Sequence, residues 1–310
     1  MSHVPVMLAQ VLEGLAPKAE GRYVDATFGR GGHSAAILDR LGTEGKLLAI
    51  DRDATAVATA KARFKDDQRF AVHHAPFSEI ADAVDQAFAG RGADGVLFDF
   101  GVSSPQLDDE RRGFSFLREG PLDMRMDAQQ KMTASDYLAE VNEATLRRDI
   151  SVLGEERLAA RIAKAIVAAR DSGSLHSTKD LSDVIVAATP AKVIRQTKRH
   201  PATKTFQAIR MRVNDELGEI DAALAAVIDV LAIGGRVCFI TFHSLEDRPV
   251  KRFLREVCAE DPVYRGLPDM PESARPKMRL VGKAQKPTAE EVADNARARS
   301  ATLRVAERLR

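Results

Sequence analysis

A chain of 310 residues, 45% hydrophobic and 29% charged, has the composition of a soluble globular protein with room for one large domain or two, and is not a globally disordered chain. The formal net charge of +1 excludes an overall basic field, so a nucleic-acid surface would have to come from local segregation of charge. Cys238 and Cys258 make neither a disulfide framework nor a zinc pattern, no run of about eighteen apolar residues appears, and Met1–Pro5 lacks a secretory pattern, so the expectation is a cytoplasmic protein with no membrane span.

Taken in order, the first hundred residues alternate strand-like apolar runs (22–27, 46–51, 69–73, 95–99) with amphipathic helical ones (33–41, 53–64, 77–89). This is the βαβ rhythm of a parallel sheet covered on both faces, a doubly wound α/β fold. Right-handed crossovers place Asp25, Asp51 and Asp99 at the carboxyl ends of their strands, along one ligand-binding rim.

Between the first strand and its helix lies Gly29-Arg30-Gly31-Gly32-His33-Ser34, close to the dinucleotide fingerprint but with Ser34 where the third glycine belongs. Glycines there permit a sharp turn and close approach to a ligand. Asp51, about 20 residues on, suits a ribose diol in either a nicotinamide cofactor or S-adenosylmethionine. Asp25 separates the two: it would repel a pyrophosphate, whereas the sulfonium and α-ammonium of S-adenosylmethionine are cations it can attract directly or through water.

After Asp99 the rhythm stops in a loop, 100–116, rich in glycine, charge and aromatics. The spacing then predicts helices from Thr133 to Asp149, Glu155 to Asp171 and Thr178 to Ala188, the last capped by Ser177 or Thr178. The chain thus divides into a first α/β part (1–105), an inserted helical substrate-recognition domain (106–215) and a second α/β part (216–310). The second part holds a helix at 219–231, a strand at 236–242 and a helix from Leu245 to Val257. Mostly irregular surface follows over 260–297, and then an antiparallel edge strand at Thr302–Ala306.

Local charge is most informative between Ala191 and Val213, where Lys192, Arg195, Lys198, Arg199, Lys204, Arg210 and Arg212 stand with no acid, a block suited to a phosphate backbone. A weaker basic region is Arg297, Arg299, Arg304, Arg308 and Arg310. Phe114 and Phe116, flanked by Arg112 and Arg118, are candidates to stack on a displaced base. Asp99-Phe-Gly101 spells a kinase metal triplet without its companion motifs, and His73, His74 and His243 complete no zinc site, so no metal is expected. For His243 a site role and a structural hydrogen bond stay open.

Six stretches together resemble one family: Asp25-Ala-Thr-Phe-Gly-Arg-Gly-Gly-His-Ser34, Asp99-Phe-Gly-Val-Ser-Ser-Pro-Gln-Leu-Asp108, Arg112-Gly-Phe-Ser-Phe116, Gly120-Pro-Leu-Asp-Met-Arg-Met126, His200-Pro-Ala-Thr-Lys-Thr-Phe-Gln207 and Phe242-His-Ser-Leu-Glu-Asp247. The resemblance is to the RsmH (MraW) family, which methylates N4 of a cytidine in the decoding centre (P site) of bacterial 16S rRNA with S-adenosylmethionine. It implies a class I, Rossmann-like methyltransferase fold with an inserted helical domain. By position it implies cofactor contacts at Gly31, Gly32, His33, Asp51, Phe77, Asp99 and Gln106. The family's Asn-Pro-Arg tail reads Asn295-Ala296-Arg297 here.

An exocyclic cytosine amine is a poor nucleophile, so alignment must carry the catalysis. Asp99, with Ser103 or Ser104, occupies the place from which other amino-methyltransferases orient their amine. Lys198, Arg199 and Lys204 are the candidate phosphate contacts, and 16S rRNA or the small ribosomal subunit is the expected partner, with a homodimer also open. Two other classes remain: a nucleotide-dependent oxidoreductase, disfavoured by Asp25, and a noncatalytic RNA-binding protein, for which the cofactor set would be superfluous.

Overall fold

The apolar runs of the α/β parts become strands because their side chains are buried on both faces, as parallel sheets require. A computed structural model of the chain describes residues 5–197, 199–264 and 271–310. β1 (Arg22–Asp25), β2 (Lys46–Asp51), β3 (Phe70–His74), β4 (Ala93–Asp99) and β5 (Leu231–Thr241) run parallel. With β6 (Met278–Leu280) and β7 (Thr302–Arg308) they form one sheet in the order β3-β2-β1-β4-β5-β7-β6, and β7 is antiparallel to both neighbours. This is a Rossmann-like, doubly wound α/β sheet, the fold that the resemblance implies. β7 is antiparallel as expected but is not an edge: β6, within the stretch expected to be irregular, pairs with its outer side.

Alternation along the strands builds two cores. Val24, Val96, Phe98, Val237 and Phe239 pack on the face covered by α4 (Ile80–Phe88), α12 (Glu216–Val230) and α13 (Ser244–Val257). Tyr23, Leu97, Cys238 and Ile240 face the other way, toward α2 (Gly32–Leu38) and toward α1 (Leu8–Leu15), a helix the sequence reading did not anticipate. On that side Ala56 and Ala60 of α3 (Ala54–Arg63) meet Phe28 and Ala49. Among the described residues no helix is long and apolar enough to cross a membrane.

The chain separates into two compact units, Met1–Gly101 with Leu217–Arg310, and Val102–Glu216. The second has its own core, including Leu122, Met124, Leu146, Ile162, Leu181 and Phe206. It comprises α5 (Ser104–Asp108), α6 (Ala134–Glu140), α7 (Glu143–Leu153), α8 (Ala159–Asp171), α9 (Thr178–Ala188), α10 (Ala191–Gln196) and α11 (Thr203–Val213); a short α14 (Ala289–Asp294) lies in the first unit. The single helix expected from Thr133 to Asp149 is two: Val141 is extended, and the Asn142 side chain accepts from Thr145 N (2.9 Å) to start α7. α8 begins after Glu155 because that residue sits in the left-handed region, φ 49°. Ser177, not Thr178, caps α9. α10 and α11 were not anticipated; α11 buries Phe206, Ile209 and Val213.

Asn214 ties the Gly120–Met126 loop to the end of α11. It is 1% exposed, accepts from Met126 N (2.7 Å) and donates to Met124 O and Arg210 O (both 2.8 Å). Asn214→Ala leaves buried backbone groups unpaired and should destabilise the protein by about 2–3 kcal/mol, read by urea unfolding of the full chain. A loss under about 0.5 kcal/mol would show that water replaces those bonds.

Candidate active site

In the strand order the chain runs outward from β1 and then returns to its other side at β4, which makes the β1/β4 carboxyl ends the switch point, the place where open α/β sheets bind their ligands. The loop after β1 is pinned to both neighbours, by Ala26 N to Leu97 O (2.9 Å) and Phe28 N to Ile50 O (3.1 Å). Gly31 has φ 70°, and a Cβ there would lie 2.4 Å from the Phe28 ring; a Cβ on Gly32 would lie 2.3 Å from Pro5. These glycines are therefore required by the loop's own packing, whatever ligand it meets.

Asp25 is 1% exposed and does not open onto solvent. Its Oδ2 accepts from Ser34 Oγ (2.6 Å) and its Oδ1 from Thr27 N (3.3 Å). The direct ligand contact considered for Asp25 is thus replaced by a structural one, and Ser34 departs from the glycine fingerprint because its hydroxyl is needed there. Burial pushes the Asp25 carboxyl above the usual range, with His33 and these hydrogen bonds opposing.

Asp51, partly exposed, accepts from Gly29 N (2.7 Å) and Asp53 N (2.8 Å), locking the glycine loop to the end of β2. Burial pushes it up to about 6, against those two hydrogen bonds. Asp99 donates its backbone N–H to Thr27 Oγ1 (2.7 Å), and its Oδ2 lies 3.8 Å from His33 Nδ1. Its Oδ1 is buried with no hydrogen-bond partner. Burial, then the charges of Asp25 and Glu246, hold Asp99 well above the ordinary carboxylate range.

Around this centre, His33 is 6% exposed with Nε2 3.0 Å from Val6 O. Phe77 opens the turn after β3 and packs against Phe98 (6.0 Å between centroids) and Phe100 (5.5 Å). Sequence reasoning missed Glu246: 1% exposed at the start of α13, it accepts from Phe242 N (2.6 Å) and stands 2.9 Å from His243 Nε2. His243 occupies the N-cap of α13, the structural role of its two candidates. The only sequence signal for Glu246 was its place three residues after that cap.

The first unit thus gathers Gly31, Gly32, His33, Asp51, Phe77 and Asp99, while Ser103, Ser104 and Gln106 belong to the second. There Ser103 and Gln106 engage each other in a capping box at α5, Gln106 Oε1 accepting from Ser103 N (2.9 Å), and Ser104 lies in the first turn. Phe114 is 5% exposed in the unit's core, with Arg112 over its ring at 5.8 Å, so it has no face to offer a base. Phe116 is partly buried.

The cationic block is also thinner than its sequence suggests. Arg210 forms a bidentate pair with Glu216 (2.7 and 2.8 Å), Arg212 lies 3.3 Å from Asp149, and the Lys204 ammonium donates to Glu155 O (2.7 Å). Lys198 lies outside the described residues. Lys192, Arg195 and Arg199 are exposed, with no ion pair among the described residues. In the basic tail, Arg304 pairs with Asp247 (2.7 and 3.0 Å) and Arg310 donates to Ser273 O (3.1 Å), which are structural uses.

Three carboxyls raised by burial, one with an open oxygen, favour a positively charged ligand and disfavour a pyrophosphate. The sequence matches the model of the MraW methylase family over residues 1–309. Ribosomal RNA small subunit methyltransferase H of Shewanella loihica is 50% identical, covering 99% of this chain and 98% of its own. The protein of the same name from Methylococcus capsulatus is 52% identical over 97% of this chain and 99% of its own. Among solved structures, an rRNA methylase from Streptococcus thermophilus is similar over 98% of this chain and 92% of its own, at 13% identity and a TM-score of 0.39. Matched end to end by relatives that share about half of its residues, and by a family model over nearly its full length, the chain belongs to the MraW methylase family.

Proposed function

We propose that this protein is a cytoplasmic, S-adenosylmethionine-dependent methyltransferase of small-subunit rRNA, and that it methylates N4 of a cytidine in the decoding centre of 16S rRNA. The observation that carries the cofactor is Asp99 Oδ1, buried without a partner beside Asp25 and Glu246. An uncompensated buried acceptor is costly unless a donor arrives. Near two further acids the donor that relieves it best is cationic, as the α-ammonium of S-adenosylmethionine is. The family membership and the names of the relatives support the rRNA substrate.

When bound, the cofactor supplies an electrophilic methyl group on a sulfonium. Asp51, fixed by Gly29 and Asp53, keeps lone pairs for the ribose diol, and Phe77 offers a ring flank beside the β3 end. Backbone groups at Gly31, Gly32 and His33 serve as further contacts, and Asp99 orients the cofactor and the target amine by charge and acceptance. Ser103, Ser104 and Gln106, in the second unit, keep these roles by sequence position and resemblance alone. Arg199 is the described phosphate contact that survives from the original three. Incubating the protein with radiolabelled S-adenosylmethionine and unmodified small subunits or 16S rRNA, then digesting the product to nucleosides, tests the function; label absent from N4-methylcytidine rejects it.

Asp51 yields a pH dependence. A diol donates best to the ionised carboxylate, and with the carboxyl at about 6 that form dominates only above this value. Affinity for S-adenosylhomocysteine, which lacks the sulfonium charge, should therefore fall as pH drops below 6, and Asp51→Ala should abolish that part of the pH dependence. The same substitution should weaken the affinity about ten- to a hundredfold at neutral pH, equivalent to roughly 1.5–3 kcal/mol. A calorimetric affinity that Asp51→Ala leaves unchanged rejects this contact.

Asp99 separates binding from turnover. Asp99→Asn keeps an acceptor oxygen and should lose mainly the single-turnover rate at saturating cofactor and RNA, whereas Asp99→Ala should also lose cofactor affinity. A wild-type rate in Asp99→Ala would overturn the role.

A further inference from the structure

In the second unit a column of aromatic rings runs from the core to the surface. Phe206 on α11, 4% exposed, meets Phe116 edge-on (5.5 Å, 75°), and Phe116 in turn stacks face to face with His200 (4.8 Å, 13°). His200 itself is exposed. Its ring is held in place, because Ala202 N–H donates to Nδ1 (3.3 Å) while Thr203 N and Oγ1 donate to the His200 carbonyl (3.0 and 2.8 Å). An Nδ1 that accepts an N–H carries no proton, so the neutral ring holds its proton on Nε2, to which no protein group is bonded among the described residues.

The sequence around the column is cationic and apolar. Lys192 and Arg195 on α10, and Arg199 in the turn leading to His200, are exposed without ion pairs among the described residues. Leu117, next to Phe116, is 78% exposed. Burial of Phe116 alone would not require an oriented imidazole as the outermost layer. A flat ring held in place next to the exposed Arg199 instead matches how proteins hold unstacked bases, with the π-face on the base and the charge on its phosphates.

We infer that His200, backed by Phe116 and Phe206, is a stacking platform for an unpaired nucleobase of the RNA, with Nε2–H free to donate to a base edge or phosphate oxygen. This rests on the rRNA reading for the identity of the RNA, and concerns a residue outside the methyl-donor site. It replaces Phe114 and makes Phe116 the support rather than the contact.

The chain contains no tryptophan, so His200→Trp places a single indole fluorophore at the platform. Its emission should be quenched on titration with a single-stranded RNA oligonucleotide, with a midpoint equal to that of filter binding, and a fully paired RNA duplex should quench it far less. His200→Ala should lower RNA affinity about tenfold or more while S-adenosylhomocysteine affinity stays at the wild-type value, and His200→Phe should recover most of the loss. RNA binding by His200→Trp without a change in emission, or wild-type affinity in His200→Ala, overturns the platform. The rRNA reading fails separately: if wild-type protein transfers no methyl group to rRNA yet shows this dependence on His200, the platform stands and the enzyme assignment falls.

Discussion

Crowding of buried carboxyls at the ends of parallel strands is the constraint around which the first unit is arranged. The sheet brings the ends of β1, β2 and β4 to one rim, and each closes on an aspartate. Several hydrogen bonds at that rim then manage negative charge. Ser34 and Thr27 donate to Asp25, Gly29 and Asp53 to Asp51, and the backbone amides of Phe242 and His243 to Oε2 of Glu246, whose Oε1 stands 2.9 Å from His243 Nε2. Asp99 is left with an open oxygen, and burial, then the charges of Asp25 and Glu246, oppose its ionisation. A cationic ligand would favour the ionised forms that burial opposes, so the electrostatics and the binding chemistry are coupled.

The glycine loop shows how that design shapes sequence. A dinucleotide site keeps its third glycine for close packing of helix on strand. Here Ser34 takes the position and its hydroxyl reaches the buried Asp25, so the acid that excludes pyrophosphate also dictates the departure from the fingerprint. The same loop is squeezed from within, since Phe28 and Pro5 fill the space that side chains on Gly31 and Gly32 would need.

What was legible in the sequence follows from range. Parallel strands are continuous apolar runs closed by a polar residue, so β1, β2 and β4 and their terminal aspartates could be read locally. α11 could not, because Lys204, Arg210 and Arg212 interrupt its apolar face of Phe206, Ile209 and Val213, and the cations drew the reading instead. Their partners Glu216 and Asp149, and the carbonyl of Glu155, lie outside the block, two of them far away in sequence, so the α11 half of a run that looked uncompensated is engaged within the protein. Phe114 and Phe116 look alike in sequence, yet one is enclosed and the other stacked beneath an exposed ring; only tertiary packing separates them. The break at Asn142 was missed because a cap inside a long amphipathic pattern is local chemistry overriding periodicity.

Where the second unit is inserted has its own logic. The chain leaves the sheet after β4 and re-enters it at β5, the strand paired to β4, with Asp99 opposite Ile240 and Phe100 N donating to Ile240 O (3.0 Å). The return comes at the other end of that ladder, where α12 delivers the chain to Leu231 opposite Ala93, so the helical unit with its own core is added within a crossover between two adjacent parallel strands and leaves the register of the sheet intact. The exit comes two residues past Asp99 at Gly101, whose φ of 106° strongly favours glycine. A side chain at Gly101 would have ordinary space, its nearest neighbours being Phe242 at 3.5 Å and Glu246 at 3.7 Å, so the backbone angle rather than packing requires the glycine. The turn that follows Asp99 is thus also the turn that begins the insertion.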